Sequence, residues 1–416
     1  MMSLRNVAAL IAAVTILQAG QGLLGLRLPL EFVGDGYSRA SLGFVAASYS
    51  AGFMLGAIAA TYLLARVGHI RVFAASAAIL SVTILALHGA GAEWSWALAR
   101  LIAGVAVALM FAAVESWMSA SIGPGERGHV MGVYMVATKA ALAIGPFLAF
   151  GFPIGAAEPW MIAAGVCAIA MVPVCFTTAA QPPAPKAQPL ALRGQFNTAP
   201  AAVIAVFGAG FINSGVLTLA PLYASERFGP DAASTFYAAA WIGSLILQWP
   251  AGRLSDRIDR RLVIALLTGL AAAASFALAV FRDAAPDWFA ILLFGVWGAG
   301  ALSFYGVAVA HMADRAEPGR IAQATSGLLF VWAAGAVVGP LIQGLAVEVL
   351  GGRGIFWLGG VTSAAVMAAM FWRGVARASP TEKETYAPKP ETSVSAAEIA
   401  YGEARAFSDE VDAGSS

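Results

Sequence analysis

Twelve runs of apolar residues divide the first 372 positions, at 7–27, 41–64, 72–90, 96–118, 130–152, 159–179, 201–222, 235–251, 262–281, 288–310, 321–347 and 354–372. Most approach the roughly twenty residues that a helix needs to cross a bilayer. They are continuously apolar instead of alternating, so they predict helices and disfavour a strand barrel. Short polar connections separate them. The densest is Gly252-Arg253-Leu254-Ser255-Asp256-Arg257-Ile258-Asp259-Arg260-Arg261. A cluster so charged cannot enter hydrocarbon, whereas its flanks are long enough to span it. The loop therefore pins two spanning helices to one face of a membrane.

Counting lysine and arginine in alternate connections gives the orientation. With the N-terminus inside, the cytoplasmic side holds Arg5, Arg66, Arg71, Arg127, Lys186, Arg193, Arg253, Arg257, Arg260, Arg261, Arg315, Arg320, Arg373 and Arg377. The outer side holds Arg27, Arg39, Arg227, Arg282 and Arg353. This excess predicts an even number of spans, both termini cytoplasmic, and a multi-pass protein of the inner membrane. The first run, Val7–Leu26, lacks a convincing small-residue cleavage site and reads as a retained helix.

Composition agrees. Apolar residues make up 60% of the chain and charged ones 11%, too few to cover a water-soluble domain. The 45 glycines fit helices that approach closely in lipid. A net charge of +1 without a basic patch beyond the loops argues against nucleic acid as a partner. Cys167 and Cys175 share one apolar run and read as small hydrophobes, and the scattered histidines imply no metal site. No nucleotide-binding glycine loop, Ser/His/Asp array or cofactor motif is present, so neither an enzyme nor a cofactor is expected.

The chain also repeats itself. Ala19-Gly20 and Leu28-Pro29-Leu30 are echoed by Ala209-Gly210 and Ala220-Pro221-Leu222; Gly145-Pro146 is echoed by Gly339-Pro340. The offsets fall between 190 and 194 residues (209 − 19; 339 − 145). A common offset points to duplication. The expected architecture is an all-α integral membrane protein of twelve transmembrane helices in two pseudo-symmetric six-helix bundles. Its parts are a bundle at 1–179, a proline-rich cytoplasmic linker at 180–200, a second bundle at 201–372, and a polar, mobile tail at 373–416. Two similar bundles around a central site can rock against each other and expose it to either side in turn.

The loop and the architecture resemble the major facilitator superfamily. Gly252, Leu254, Asp256, Arg257, Arg260 and Arg261 fit its loop signature, with Asp259 where glycine is usual. The first-half copy keeps Leu63, Arg66 and Gly68 but has Thr61 and Ala65 in place of glycine and aspartate. More narrowly, Gly43–Phe53, Arg66–Arg71, Glu115-Ser116-Trp117 and Gly132–Met135 resemble the bacterial YcaD-type branch. Arg100 followed by Gly104 resembles the superfamily's fourth-helix motif, and Gly145-Pro146 the glycine-proline pair of drug–proton antiporters. The resemblance implies a conformational role for Arg66, Arg71, Gly252, Asp256, Arg257, Arg260 and Arg261, a latch of carboxylate and arginine. The alternative is topology alone, and for Arg66 and Arg71 the two readings stand level.

Arg100, Glu115 and Lys139 are the informative charges within the predicted spans, Arg27 standing at the very end of one. A lipid-facing ion costs at least about 2.5 kcal/mol, so Arg100, Glu115 and Lys139 should face protein or a wet cavity. Arg100 and Glu115 lie about 22 Å apart along one helix and cannot pair directly. Lys139, at mid-depth, is read as a substrate-binding or charge-switching group, against a structural lysine satisfied by neighbours. Glu115 is read equally as a proton carrier or as a partner of Arg127. Gln18, Gln21, Asn213 and Gln248 are candidate cavity groups, though each alone reads better as interhelix glue. Arg27 either guards an outer vestibule or ends its span. Trp241, Trp249, Trp297 and Trp332 are aromatic candidates for the lining.

The function expected from this set is proton-coupled export of a small organic molecule by a monomer in the bilayer. Proton-coupled uptake of a small anionic nutrient is the second reading, and a non-transporting receptor or assembly protein the third.

Overall fold

The computed structural model describes residues 2–123, 126–179, 181–182, 196–281, 284–317 and 321–376. Most of the linker (183–195), the tail from 377 onward and the side chain of Arg127 lie outside the described residues, with the expectations attached to them.

The first half comprises α1 (Met2–Gly34), α2 (Arg39–Val67), α3 (His69–His88), α4 (Glu93–Ser121) and α5 (Arg127–Ile144), then a 3-10 turn (Gly145–Ala149), α6 (Glu158–Ile169) and α7 (Met171–Cys175). The second comprises α8 (Pro200–Phe228), α9 (Pro230–Arg257), α10 (Arg260–Val280), α11 (Asp287–Ala301), α12 (Phe304–Ala313), α13 (Ile321–Leu350) and α14 (Arg353–Ala376). No strand occurs among the described residues. The protein is an all-α integral membrane protein of twelve spans in two pseudo-symmetric six-helix bundles, α6–α7 and α11–α12 each making one span. Eleven described spans are long and apolar enough to cross a bilayer by themselves. The twelfth, α9, has 28 residues but is less apolar. Tyr237, Trp241, Ser244 and Gln248 recur along it every three or four residues and so share one stripe.

The duplication reaches the packing. A Cβ on Gly52 would fall on the Leu101 carbonyl and one on Gly104 on the Tyr49 carbonyl, so α2 and α4 meet backbone to backbone. Gly243 and Gly298, 191 and 194 residues later (243 − 52; 298 − 104), press α9 onto α11 in the same way. Gly145 meets the Ala19 carbonyl of α1, and Gly339 the Phe211 carbonyl of α8. In lipid, where no hydrophobic force draws helices together, such close approach supplies the cohesion. Outward residues such as Val82 and Ile246 leave apolar surface for the bilayer.

The bundles touch along α2–α13, α5–α9 and α1–α8. Several cross-bundle contacts lie towards the membrane face that carries Arg39. There Arg39 pairs with Glu226, Gly43 abuts the Pro340 carbonyl, and the Gly151 amide donates to Asp231 at 3.2 Å. The bundles are therefore closed against each other on that face. The opposite face carries the loop 252–261.

Two predicted spans are broken. The run 288–310 is interrupted at Leu302-Ser303, between α11 and α12, and 159–179 at Ala170. A break frees carbonyls from the helix ladder, which is tolerated at membrane depth only where protein or a cavity satisfies them.

Candidate functional site

Two adjoining chambers lie at the seam between the bundles, about 180 and 230 Å3 in volume. Gln21, Tyr49, Ser214, Leu217, Tyr237 and Trp332 line both. The chamber nearer the Arg39 face adds Arg100, Ser50, Thr218 and the apolar Leu24, Leu28 and Pro340. The deeper one adds Gln18, Phe111, Thr138, Lys139, Asn213, Trp241, Leu302 and Tyr305. Gln18 and Gln21 sit three residues apart on α1 and so present one face.

Lys139 is buried, and its ammonium group bridges the bundles. It donates to the Ser244 hydroxyl of α9 and, at 3.3 Å, to the carbonyl of Leu302. That carbonyl is one that the α11–α12 break leaves exposed, and the Ser244 hydroxyl also donates to it at 3.3 Å. Lys139 thus both borders the cavity and has the neighbours that a structural lysine requires. Arg100 projects over the ring of Tyr49, its guanidinium carbon 4.0 Å from the centroid.

Five of the predicted site residues, Lys139, Arg100, Gln18, Gln21 and Asn213, border the chambers. Three are placed elsewhere. Arg27 is a buried staple within the first bundle, pairing with Glu31 at 2.5 Å and donating to the carbonyls of Phe152 and Pro153. It is not among the residues lining either chamber, although its chain neighbours Leu28 and Pro29 line the one nearer the Arg39 face. Glu115 is buried on α4 and accepts a hydrogen bond from Tyr134 at 3.4 Å, away from the chambers' lining. Gln248 is buried on the same stripe of α9 as Tyr237 and Trp241, about two turns beyond Trp241, the last lining residue of that helix. Of the tryptophans, Trp241 and Trp332 line the cavity. Trp297 stacks on Phe294, and Trp249 is exposed beneath Arg253.

The charged loop is a network within the second bundle. Buried Arg260 pairs with Asp256 at 3.1 Å and grips Asp314, at the end of α12, through two hydrogen bonds. Buried Arg261 donates to the Arg373 carbonyl of α14 at 2.8 Å. Asp259 caps α10 by accepting from the Arg261 amide at 2.8 Å. Burial alone would raise its pKa, but the hydrogen bonds and charge of Arg261 outweigh burial and hold it below the usual carboxylate range. Gly252 is buried, while Arg257, Arg66 and Arg71 are exposed, Arg66 donating to Tyr62 at 3.0 Å. Sequence reasoning did not single out Asp314, Ser244 or the Leu302 carbonyl. The glycine-rich run Gly298–Gly306 was the signal for the last.

The family model described as Major Facilitator Superfamily matches residues 10–284 and 203–407. Among curated relatives, an uncharacterised MFS-type transporter YcaD of Salmonella dublin is 26% identical over 341 residues, 81% of this chain and 87% of the relative. Its Shigella flexneri counterpart is 24% identical over 349 residues, 83% and 89% of the two chains. Among solved structures, the nucleoside transporter NupG superposes with a TM-score of 0.68 at 15% identity, covering 88% of this chain and 98% of that one. A D-xylose-proton symporter superposes with 0.68 at 17% identity, covering 88% and 97%.

Proposed function

This chain belongs to the major facilitator superfamily, and from that premise we propose that it moves a small organic molecule across the bacterial inner membrane by alternating access, coupled to protons and running as export. The rocking units are the bundles at 1–179 and 201–372, joined through 180–200, with the tail 373–416 and both termini in the cytoplasm. The distribution of arginines supports that orientation.

One observation carries the reading. The cavity lies where the bundles meet, and Lys139 reaches across it to Ser244 and Leu302. Rocking must separate these groups, so the bonds of the lysine differ between the two states. A group whose surroundings change with the transport step is able to couple that step to its charge. That a protein of the same fold is a D-xylose-proton symporter supports protons as the coupling ion. The Gly145-Pro146 pair, which seats α5 on α1, supports export by its resemblance to antiporters. Arg260, Arg261, Asp256 and Gly252 hold the helix ends of the second bundle as one body, with Arg257, Arg66 and Arg71 at the surface where the bundles part.

The test is compound-dependent proton movement in proteoliposomes under an imposed pH gradient. Acceleration by a compound, with the sign of antiport, is the expected result. Symport by sign replaces export with uptake, and no proton response across a broad panel removes the coupling.

A further inference from the structure

The chamber nearer the Arg39 face has a one-sided chemistry that points to what it holds; the inference rests on the transporter reading and deepens it. Among the described residues of the lining, Arg100 is the only ionised side chain. Its Nε is buried with no hydrogen-bond partner, and its guanidinium lies against the Tyr49 ring, not against a carboxylate. Gln21 Nε2 and Trp332 Nε1 are likewise buried without partners. All three atoms are donors, on three helices from both bundles, around one cavity. Buried donors left unmatched are costly, and an uncompensated cation more so. The missing complement is an acceptor carrying negative charge.

We propose that this chamber is a receptor for the carboxylate of a small organic anion, held by Arg100 with Gln21 and Trp332. A guanidinium fork matches the two oxygens of a carboxylate, and a single cation balances one negative charge. A phosphonate dianion would leave a charge unmatched. The remaining wall, Leu24, Leu28 and Leu217, takes the apolar body of the molecule. A volume of about 180 Å3 suits a metabolite-sized ligand, below the range of drug-sized pockets. Because donors from both bundles converge, the bound anion also draws the bundles together on this face.

The test is equilibrium binding to the purified full-length protein by scintillation proximity, with radiolabelled phenylacetate as the probe. Unlabelled benzoate, phenylacetate and 4-methylvalerate compete, whereas phenylacetamide, phenethylamine and phenylphosphonate do not. Arg100→Gln weakens binding by at least about tenfold, and Arg100→Lys, which keeps the charge but loses the fork, by less. Should Arg100→Gln not fold, Gln21→Leu removes a neutral donor and weakens binding about threefold or more. No saturable binding by any carboxylate, or equal competition by the amide or the phosphonate, overturns the proposal. So does undiminished binding by a folded Arg100→Gln protein. Proton flux driven only by neutral or cationic compounds would leave transport standing and sink the carboxylate receptor. Carboxylate binding without flux would do the reverse.

Discussion

Arg260 and Asp314 form a two-pronged pair, Nε to Oδ2 at 2.7 Å and Nη2 to Oδ1 at 3.2 Å, with both side chains 1% exposed. The pair joins the start of α10 to the end of α12, across the charged loop. Breaking a buried pair by removing one member costs about 3–5 kcal/mol, because the other charge stays behind. Asp314→Ala should therefore lower stability by about 3 kcal/mol, the remaining half-buried Asp256 compensating only in part. The double variant Arg260→Met/Asp314→Leu should cost less than Asp314→Ala alone. Thermal unfolding of the detergent-solubilised proteins measures both. A double variant as damaged as the sum of its singles would show that the pair is not the source of the cost.

Lys139 ties the bundles together at the depth of the cavity through its bonds to Ser244 and the Leu302 carbonyl. Lys139→Ala leaves the Ser244 hydroxyl in contact with the Leu302 carbonyl, so the fold keeps one of the bonds there. The expected outcome is a fall in proteoliposome transport of about tenfold or more, with unchanged protein level and melting point. Ser244→Ala should fall by less, because the Leu302 carbonyl still receives the lysine. Transport at the wild-type rate in Lys139→Ala would remove this residue from the cycle.

The depressed pKa of Asp259 sets a pH dependence with a definite sign. A carboxylate whose folded pKa lies below its ordinary value of 3.8 contributes stability above that ordinary value, and the contribution is lost as pH falls through the folded one. Asp259→Asn retains an N-cap but gives up the charge facing Arg261. Wild type should thus melt above the variant at neutral pH by a constant margin. The margin should shrink below about pH 4, where the ordinary carboxylate begins to protonate. A margin that grows with acid would reverse the assignment.

These residues differ in how far the chain announced them. Arg260 and Arg261 were legible because charge beside twenty apolar residues has one place to go. The two bundles were legible from matched glycines and prolines, and Gly52 with Gly243 and Gly104 with Gly298 carry the same offset into the helix contacts. The cavity was only half legible. Lys139 and Arg100 stand out because ions at depth need a reason, but Tyr49, Tyr237 and Ser244 look like ordinary members of amphipathic runs until the partner helix is in place. For Arg27 and Glu115 the sequence left two readings open for the same cause: a buried ion is satisfied as well by loop carbonyls or a tyrosine as by a cavity. The break at Leu302-Ser303 escaped the hydropathy pattern, which does not register a lost hydrogen bond; only the glycines at 298, 300 and 306 mark it.

Gly43 on α2 faces the Pro340 carbonyl of α13 with no room for a Cβ between them, and Gly344 of α13 packs in turn on the Arg39 carbonyl. The Arg39–Glu226 pair sits on the same face, about one third exposed at each partner. Sterics and charge make different demands here. An ion pair so exposed contributes about 0–1 kcal/mol, less in salt, whereas overpacking a tight contact costs about 1–3 kcal/mol. Gly43→Val should therefore shift the population towards a state open on the Arg39 face far more than Arg39→Ala does. By these energies the shift is about fivefold or greater for the valine and about fivefold or less for the alanine. A cysteine placed at Thr218, in a background with Cys167 and Cys175 replaced, lies in the chamber and reports the opening. Its rate of reaction with a membrane-impermeant maleimide added on the Arg39 side should rise in Gly43→Val and fall back when the cavity ligand is added. If the rate follows Arg39→Ala instead, and stays flat in Gly43→Val, closure of this face depends on charge and the close glycine contact is incidental to it.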